Sequence, residues 1–328
     1  MLPPPAAAPA AVVKDRSIAL ARFSEMLHPL PGGETLPAML PADAAPRRAA
    51  FRSLHEGGCL VMPNPWDIGT TRYLGSLGFK ALATTSSGFA FSRGLPDTDW
   101  AVPRDAMLAH IAEIVSATDL PVNADFESGY AHEPEAVAEN VRLCVETGVA
   151  GLSIEDATGD PSQPLYELEQ AVERIRAARA AVDATGTGVL LTARAECFLV
   201  GHPDPLKESI RRLEAYARAG ADVLYAPDLR SLDEMRAVVS AVSPKPVNVL
   251  MSSATDLRVA DLAEIGVRRI SVGSALARAA WGGFMRAAEA IAREGSFQGY
   301  AQNRSFSEIN TFFREDVKTR RIEEADRS

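Results

Sequence analysis

Cysteine is scarce in this chain and poorly placed for bridging. Its 328 residues hold three, Cys59, Cys144 and Cys197, an odd and widely spaced set. No CxxC pair and no Cys/His cluster occurs, so the sequence supports neither a disulfide framework nor a structural zinc site. A reducing, cytoplasmic setting is the expectation. Basic charge is also in deficit: 34 Lys+Arg stand against 43 Asp+Glu, a net −9. That argues against nucleic acid and anionic membrane as main partners, since both need a basic face. A small anionic substrate stays open, because one local Arg can capture a carboxylate. Long apolar runs are missing too; no stretch reaches the ~18 residues of a membrane span. The opening MLPPPAAAPAAVV is apolar, but its prolines and the lack of a basic start make it a poor signal peptide.

What is present is ordinary for a soluble globule: 47% apolar and 23% charged residues, enough to bury a core without staples. Length alone suggests two domains, yet an α/β barrel uses about 250 residues as one. Residues 1–46 are Pro/Ala-rich, with a short helical possibility around 17–27. They read as an extension, in part disordered or laid on the surface, or as an arm packed on a neighbouring subunit.

From Arg47 a rhythm begins. Short apolar, β-branched runs predict strands at 59–62, 80–84, 121–125, 150–154, 189–192, 222–225, 246–250 and 269–272. Amphipathic segments predict helices at 67–77, 104–117, 134–147, 165–182, 205–219, 232–240, 254–265 and 275–293. Helices end in SLGFKAL, ETGVAGL, RAGADVL and EIGVRRI, where a Gly can take the left-handed conformation just before a strand. Strand–helix alternation with short connections implies a parallel sheet with right-handed crossovers. Eight units favour a closed (β/α)8 TIM-type barrel over an open doubly wound sheet, which is the runner-up. The chain thus divides into the 1–46 extension, a 47–296 barrel, and a polar 297–328 tail, helical at most in part.

Barrel active sites form where the C-terminal strand ends meet their loops. That end collects Thr85-Ser86-Ser87-Gly88 and Asp97 after strand two, Asp125, Glu127 and Tyr130 after strand three, Glu155 and Asp156 after strand four, Arg194 and Glu196 after strand five, and Asn248 at strand seven. Carboxylates converging on one mouth repel each other unless a cation sits between them. Mg²⁺ suits such a set, with Mn²⁺ as an alternative, since it takes oxygen ligands, keeps several waters and needs one or two direct carboxylates. Arg194 is then a bidentate partner for a substrate carboxylate, and the Thr85–Gly88 turn offers backbone N–H groups to a second anionic group. Each residue also has a plainer reading: a strand-end acid as a helix cap or loop salt bridge, Arg194 as a partner of Glu196 or Glu155, Asp156 as a supporting group. His132 and His202 follow strands three and five and could enter the mouth. Cys197 reads as a buried small hydrophobe.

The stretches MPNPWDIGTTRYLGSLGFKALATTSSGFAFSRGLPD, LPVNADFESGYA, GVAGLSIEDATGD, LLTARAECF and GVRRISVGSALARAAW resemble the isocitrate lyase/phosphoenolpyruvate mutase superfamily, in its PEP mutase-like, carboxyvinyl-carboxyphosphonate phosphorylmutase-like branch. The likeness spans about two thirds of the chain. It implies Asp125 as direct ligand of Mg²⁺, Glu127 where the family usually has a second Asp, and Asp97 and Glu155 holding metal-bound waters. It implies a substrate-binding role for Thr85, Ser86, Ser87 and Arg194, with Ser86 replacing the Gly of the family's turn. It also implies exchange of C-terminal helices between subunits, hence a homodimer or homotetramer. One departure changes the chemistry expected. Family lyases carry a Lys-Lys-Cys-Gly-His-like motif in the loop after strand four, and the mutase carries Lys and Asn there. Here that loop is EDATGDPSQPL, without Cys, Lys or His.

The resulting expectation is a Mg²⁺-dependent lyase acting on a small 2-oxo or 2-hydroxy (di)carboxylate, oxaloacetate- or methylisocitrate-like, through a metal-held enolate. Decarboxylation needs no base to start; retro-aldol cleavage does, and Tyr130 or a metal-bound water are the candidates. The alternatives are a phosphonate/PEP-type mutase, a different metal-dependent barrel enzyme such as a sugar-acid aldolase, and a carboxylate-binding barrel without catalysis.

Overall fold

The computed structural model describes residues 44–98 and 100–327. Most of the extension expected over 1–46, including its helical possibility around 17–27, lies outside the described residues. Eight strands run β1 (Leu60–Met62), β2 (Leu82–Ala83), β3 (Val122–Asp125), β4 (Gly151–Glu155), β5 (Leu190–Arg194), β6 (Val223–Tyr225), β7 (Val247–Leu250) and β8 (Arg269–Ser271). Each falls inside or within two residues of its predicted segment. All pairings are parallel, in the order β1-β8-β7-β6-β5-β4-β3-β2. The β1–β8 pairing excludes the open doubly wound sheet, in which the first and last strands stand apart.

One seam remains, between β1 and β2. There Ala83 N–H donates to Pro63 O at 3.0 Å. Asn64, just past β1, completes the closure: its side chain donates to Thr84 O at 2.8 Å and accepts from Val272 and Gly273 N–H at 3.0 and 2.9 Å. One buried amide thus joins the ends of β1, β2 and β8. Asn64→Ala leaves three backbone groups without these partners. It is expected to cost about 1–3 kcal/mol in urea unfolding; an unchanged midpoint would mean that water replaces the amide.

The helices between strands bury one face against the sheet. Ser231 and Glu234 form a reciprocal N-terminal cap, and Pro134 and Pro205 stand in first turns. The four expected glycines, Gly78, Gly148, Gly220 and Gly266, all have positive φ. Two elements on the barrel were not legible. The TTSSG turn opens a short helix (Ser86–Ser92). Another helix, α1 (Ala44–Ser53), covers the N-terminal end of the barrel. Its Phe51 packs with Leu60, Met62, Ala81, Ala150 and Leu190. Its arginines bind carbonyls at the ends of helices and in the connections beyond them: Arg47 to Val115 O, Arg48 to Val145 and Val149 O, Arg52 to Gly188 O. Cations there satisfy orphan carbonyls and oppose the helix dipoles.

After β8 come α2 (Ala275–Glu294), a 3₁₀ turn (Gln298–Tyr300) and α3 (Phe306–Arg327). The tail is therefore mostly one 22-residue helix rather than helical in part. Its Phe312 ring meets Tyr73 edge-on at 5.3 Å. No described helix is long and apolar enough to cross a membrane.

The barrel interior decides where chemistry can occur. Such interiors are usually filled by Val, Ile and Leu. Here Asn123, Ser153, Thr192, Asn248, Arg269 and Ser271 are buried polar residues on β3, β4, β5, β7 and β8.

Candidate active site

A cavity of about 1090 Å³ opens at the C-terminal strand ends. It is lined by Thr85, Ser86, Ser87, Asp97, Asp125, Glu127, Glu155, Arg194, Glu196 and Asn248, so the strand-end residues singled out from sequence meet in one mouth, with Gly88, Tyr130 and Asp156 excepted. Pairing across neighbouring parallel strands produces the convergence, as Glu155 lies in register with Arg194 and Arg194 with Tyr225.

Arg194 is the electrostatic centre. Its Nη1 contacts Asp125 Oδ1 at 2.7 Å and Glu155 Oε2 at 3.0 Å, and its Nε contacts Glu196 Oε1 at 2.9 Å. Burial alone would lower this guanidinium's pKa, but Glu155, Glu196 and Asp125 together hold it well above the ordinary value. One cation for three acids leaves the mouth anionic. Glu155 is pushed well above the usual carboxylate range by burial, against Arg194, with Glu196 and Asp125 adding to the push. Glu127 rises to about 7, chiefly by burial, with Asp125 and Asp97 reinforcing it. Asp97 is raised by desolvation and by Asp125 although it stands at the rim.

The Thr85–Gly88 turn serves these acids. Ser86 donates through both N–H and Oγ to Asp125 Oδ2 at 3.1 Å, and Ser87 Oγ donates to Asp97 Oδ2 at 2.5 Å. The expected cradle for a substrate anion here cradles two of the protein's own carboxylates. Asn248 is likewise engaged at both ends, donating to Ser271 Oγ and accepting from Arg269.

The loop after β3 carries Glu127 and Tyr130 at φ 47° and 55°, in the left-handed region. Such backbone persists only where its surroundings enforce it. Buried Arg174 does so by donating to the carbonyls of Ser128, Ala131 and His132. Asn140 adds bonds to Gly129 and Tyr130 O. The reading of Tyr130 as a base is corrected here. Its hydroxyl donates to Glu127 Oε1 at 2.5 Å and does not line the cavity, and burial and Glu127 push its ionisation far above the ordinary range. Tyr130 positions Glu127. His132 does line the cavity, its Nδ1 2.6 Å from Tyr166 Oη. His202 does not; its Nδ1 accepts from Asp204 N–H. Cys197 is fully buried, and its thiol is pushed up to about 12, mainly by burial.

Asp156 is a supporting group. Its carboxylate accepts from Glu196 N–H, Arg212 and Tyr216 Oη, fixing the chain just beyond β5. The loop after β4 folds on itself, with a bridge between Ala157 and Leu165 and Thr158 N–H donating to Pro164 O. It walls the cavity with Ala157, Thr158, Gly159, Asp160, Pro161 and Pro164. Sequence reasoning missed two members of the site. Glu196 was read only as a partner for Arg194, although the strand-five ending Arg-Ala-Glu places both on one face. Arg269 had no signal, because a charged residue opening a strand reads as an exposed end.

The donor set fits a hard divalent ion. The converging acids are all oxygen donors, and Glu127, Glu155 and Asp97 are raised first by burial and further by neighbouring carboxylates. Among the described residues no three acidic, His or Cys side chains stand close enough to share a metal directly. Asp125 accepts two bonds on Oδ2 and one on Oδ1, so Oδ1 keeps a lone pair free. A pH test follows. A carboxyl raised in the folded state stabilises below its unfolded value and loses that contribution as pH climbs through the folded one. For Glu127 this window runs from 4.5 to about 7. Glu127→Gln should therefore gain in metal-free melting temperature relative to wild type as pH rises from 5 to 7.5, and Mg²⁺ should narrow the gap. A pH-independent difference would count against the raised carboxyl.

Fold and mouth together define a (β/α)8-barrel enzyme with an acid-rich, single-arginine site. The family model described as Phosphoenolpyruvate phosphomutase matches residues 51–292. A crystal structure of a lyase/mutase from Burkholderia cenocepacia J2315 is 49% identical, covers 82% of this chain and 96% of that one, and superposes with TM-score 0.78. The 2-methylisocitrate lyase of Escherichia coli (strain K12) is 32% identical over 229 residues, 64% of this chain and 75% of that protein. An oxaloacetate decarboxylase of Pseudomonas entomophila (strain L48) is 29% identical over 244 residues, 70% of this chain and 78% of that protein. The chain belongs to the isocitrate lyase/phosphoenolpyruvate mutase superfamily and is an enzyme of its lyase/mutase kind.

Proposed function

We propose that the enzyme cleaves a carbon–carbon bond in a small 2-oxo or 2-hydroxy dicarboxylate, with decarboxylation of an oxaloacetate-like substrate as the leading reaction and Mg²⁺ (or Mn²⁺) as cofactor. The observation that carries this is the pairing of an acid-rich mouth with a loop after β4 that holds no Cys, Lys or His. Loss of CO2 from a 2-oxo diacid needs no base to begin, so it does not require the missing group. Asp125 would hold the ion directly, with Glu127, Asp97 and Glu155 around its waters. When bound, the ion supplies stabilisation for negative charge developing on the substrate's carbonyl oxygen.

The chain's own residues do the rest. Arg194 holds Asp125, Glu155 and Glu196 in place and turns its remaining Nη2 donors to the substrate carboxylate. The loop after β4 forms one wall of the mouth. His132, on the cavity wall, is the candidate to return a proton to the product carbanion. The names of the Escherichia coli and Pseudomonas relatives support both substrate types.

A panel of oxaloacetate, 2-methylisocitrate, malate and other 2-oxo and 2-hydroxy acids, assayed with and without Mg²⁺, tests the reading. Metal-dependent pyruvate or succinate formation is expected. No turnover of any member, with no effect of Mg²⁺ on melting temperature, would leave a carboxylate-binding barrel. Assembly is part of the proposal: α2 and the segments after it expose Trp281, Phe284, Met285, Phe297 and Phe306, an apolar face that suits a homodimer or homotetramer. Light scattering showing monomer alone at micromolar concentration would remove that claim.

A further inference from the structure

Beneath the acids lies a cation without an anion. Arg269, on β8, is 2% exposed. Its guanidinium donates to Asn248 Oδ1 at 2.9 Å, to Thr192 Oγ1 at 3.0 Å and more loosely to Asn123 Oδ1 at 3.5 Å. All three acceptors are neutral. Below it, buried His55 offers no negative charge; burial first, and then Arg269 itself, lowers that imidazole to about 4. Gly151 keeps this floor tight: a Cβ there would stand 2.7 Å from both Asn123 Oδ1 and the Phe51 ring. Arg269 forms no ion pair among the described residues, and burial brings it down to about 9, with only Tyr225 opposing. An unpaired buried charge is costly, and cores rarely keep one that nothing answers.

The cavity reaches it. Asn123, Ser153, Asn248 and Arg269 line the same space as Asp125, Glu155 and Arg194. Asn123 and Thr192 precede Asp125 and Arg194 by two residues, so they share the inward face one layer lower. That step is roughly 6–7 Å along the strands. The cavity is polarised: acids hold the upper β2–β5 side, and Arg269 holds the floor.

We propose that Arg269, held by Asn248, Asn123 and Thr192, is an anion subsite that receives the second carboxylate of a dicarboxylate substrate. The substrate's 2-oxo or 2-hydroxy acid end stays with Asp125 and Arg194 above. This rests on the reading under Proposed function and adds the element that selects a diacid over a monoacid. A four-carbon diacid places three C–C bonds between its carboxyl carbons and spans the step; a two-carbon diacid ends in the upper layer. The arriving carboxylate supplies the counter-charge that the folded chain withholds, through a charge-assisted hydrogen bond in a water-poor setting.

Titration calorimetry on the full chain with Mg²⁺ tests it, using three probes: oxalate, L-malate and 2-hydroxybutyrate, which has malate's skeleton without the second carboxylate. Wild type should bind malate at least tenfold more tightly than 2-hydroxybutyrate. Arg269→Gln should bring malate to the level of 2-hydroxybutyrate and leave oxalate within about twofold. Equal binding of malate and 2-hydroxybutyrate by wild type overturns the proposal, and this comparison stands even if the variant does not fold. Parallel losses for oxalate and malate in Arg269→Gln also overturn it, since they mark a structural arginine. If wild type binds none of the three, oxalate included, the functional reading fails and the subsite with it. If oxalate binds but malate gains nothing over 2-hydroxybutyrate, the subsite alone fails.

Discussion

Asp125→Ala is expected to lower metal-dependent turnover roughly 10²–10³-fold, the range seen when one preorganised electrostatic group is removed. Asp125 is where the networks of the mouth intersect. It takes Arg194 on one oxygen and both donors of Ser86 on the other. Among the described residues no other acid is bound by both the arginine and the β2 turn, so Glu127 and Glu155 cannot take its place without moving. Folding should survive. Arg194 keeps Glu155 and Glu196, and removal of one acid eases the repulsion that raises Glu127. A steady-state assay across Mg²⁺ concentrations, with a melting curve as control, separates the cases. Full activity at saturating metal would show that the ion sits elsewhere.

Arg194→Met should unfold the protein more readily than any other single change in the mouth. It leaves Asp125, Glu155 and Glu196 without their shared cation, and Glu196 is 3% exposed. Stranding buried charge in this way costs about 3–5 kcal/mol. The direction with pH follows from the raised carboxyls. Burial already lifts Glu155 and Glu196, and the arginine is the main force holding them down. Without it they take up protons at higher pH, so the destabilisation is largest above neutrality and shrinks as pH falls toward 5. Urea unfolding at pH 7.5 and pH 5 measures both parts. A loss below about 1 kcal/mol at pH 7.5 would mean that the three acids are solvated and the site is open to bulk water.

The barrel was legible because its signals are local and repeat. Short β-branched runs, amphipathic helices and a left-handed glycine before a strand recur along the chain, and each is set by backbone sterics acting over a few residues. The acids were legible for a related reason: their position at the end of a strand already says which rim they occupy. Roles were harder to read. Tyr130 was a candidate base, but only the fold shows its proton bound to Glu127 and the residue outside the cavity lining. The Thr85–Gly88 donors looked available for substrate, but Asp125 and Asp97 claim them across gaps of 39 and 10 residues. Helix α1 escaped notice because what anchors its arginines is remote in sequence. Their partners are carbonyls 68 to 136 residues away.

By itself, then, the sequence determined the eight-unit barrel, the rim where the carboxylates gather and the lack of Cys, Lys and His in the loop after β4. Each of these depends on residues close together in the chain. Tertiary structure alone decided which acids share Arg194, that a single asparagine closes the barrel seam, and that Arg269 is buried beneath the mouth with only neutral neighbours. Those outcomes depend on charges and amides brought together from different strands, and electrostatic balance in a low-dielectric interior is a property of the assembled group rather than of any segment.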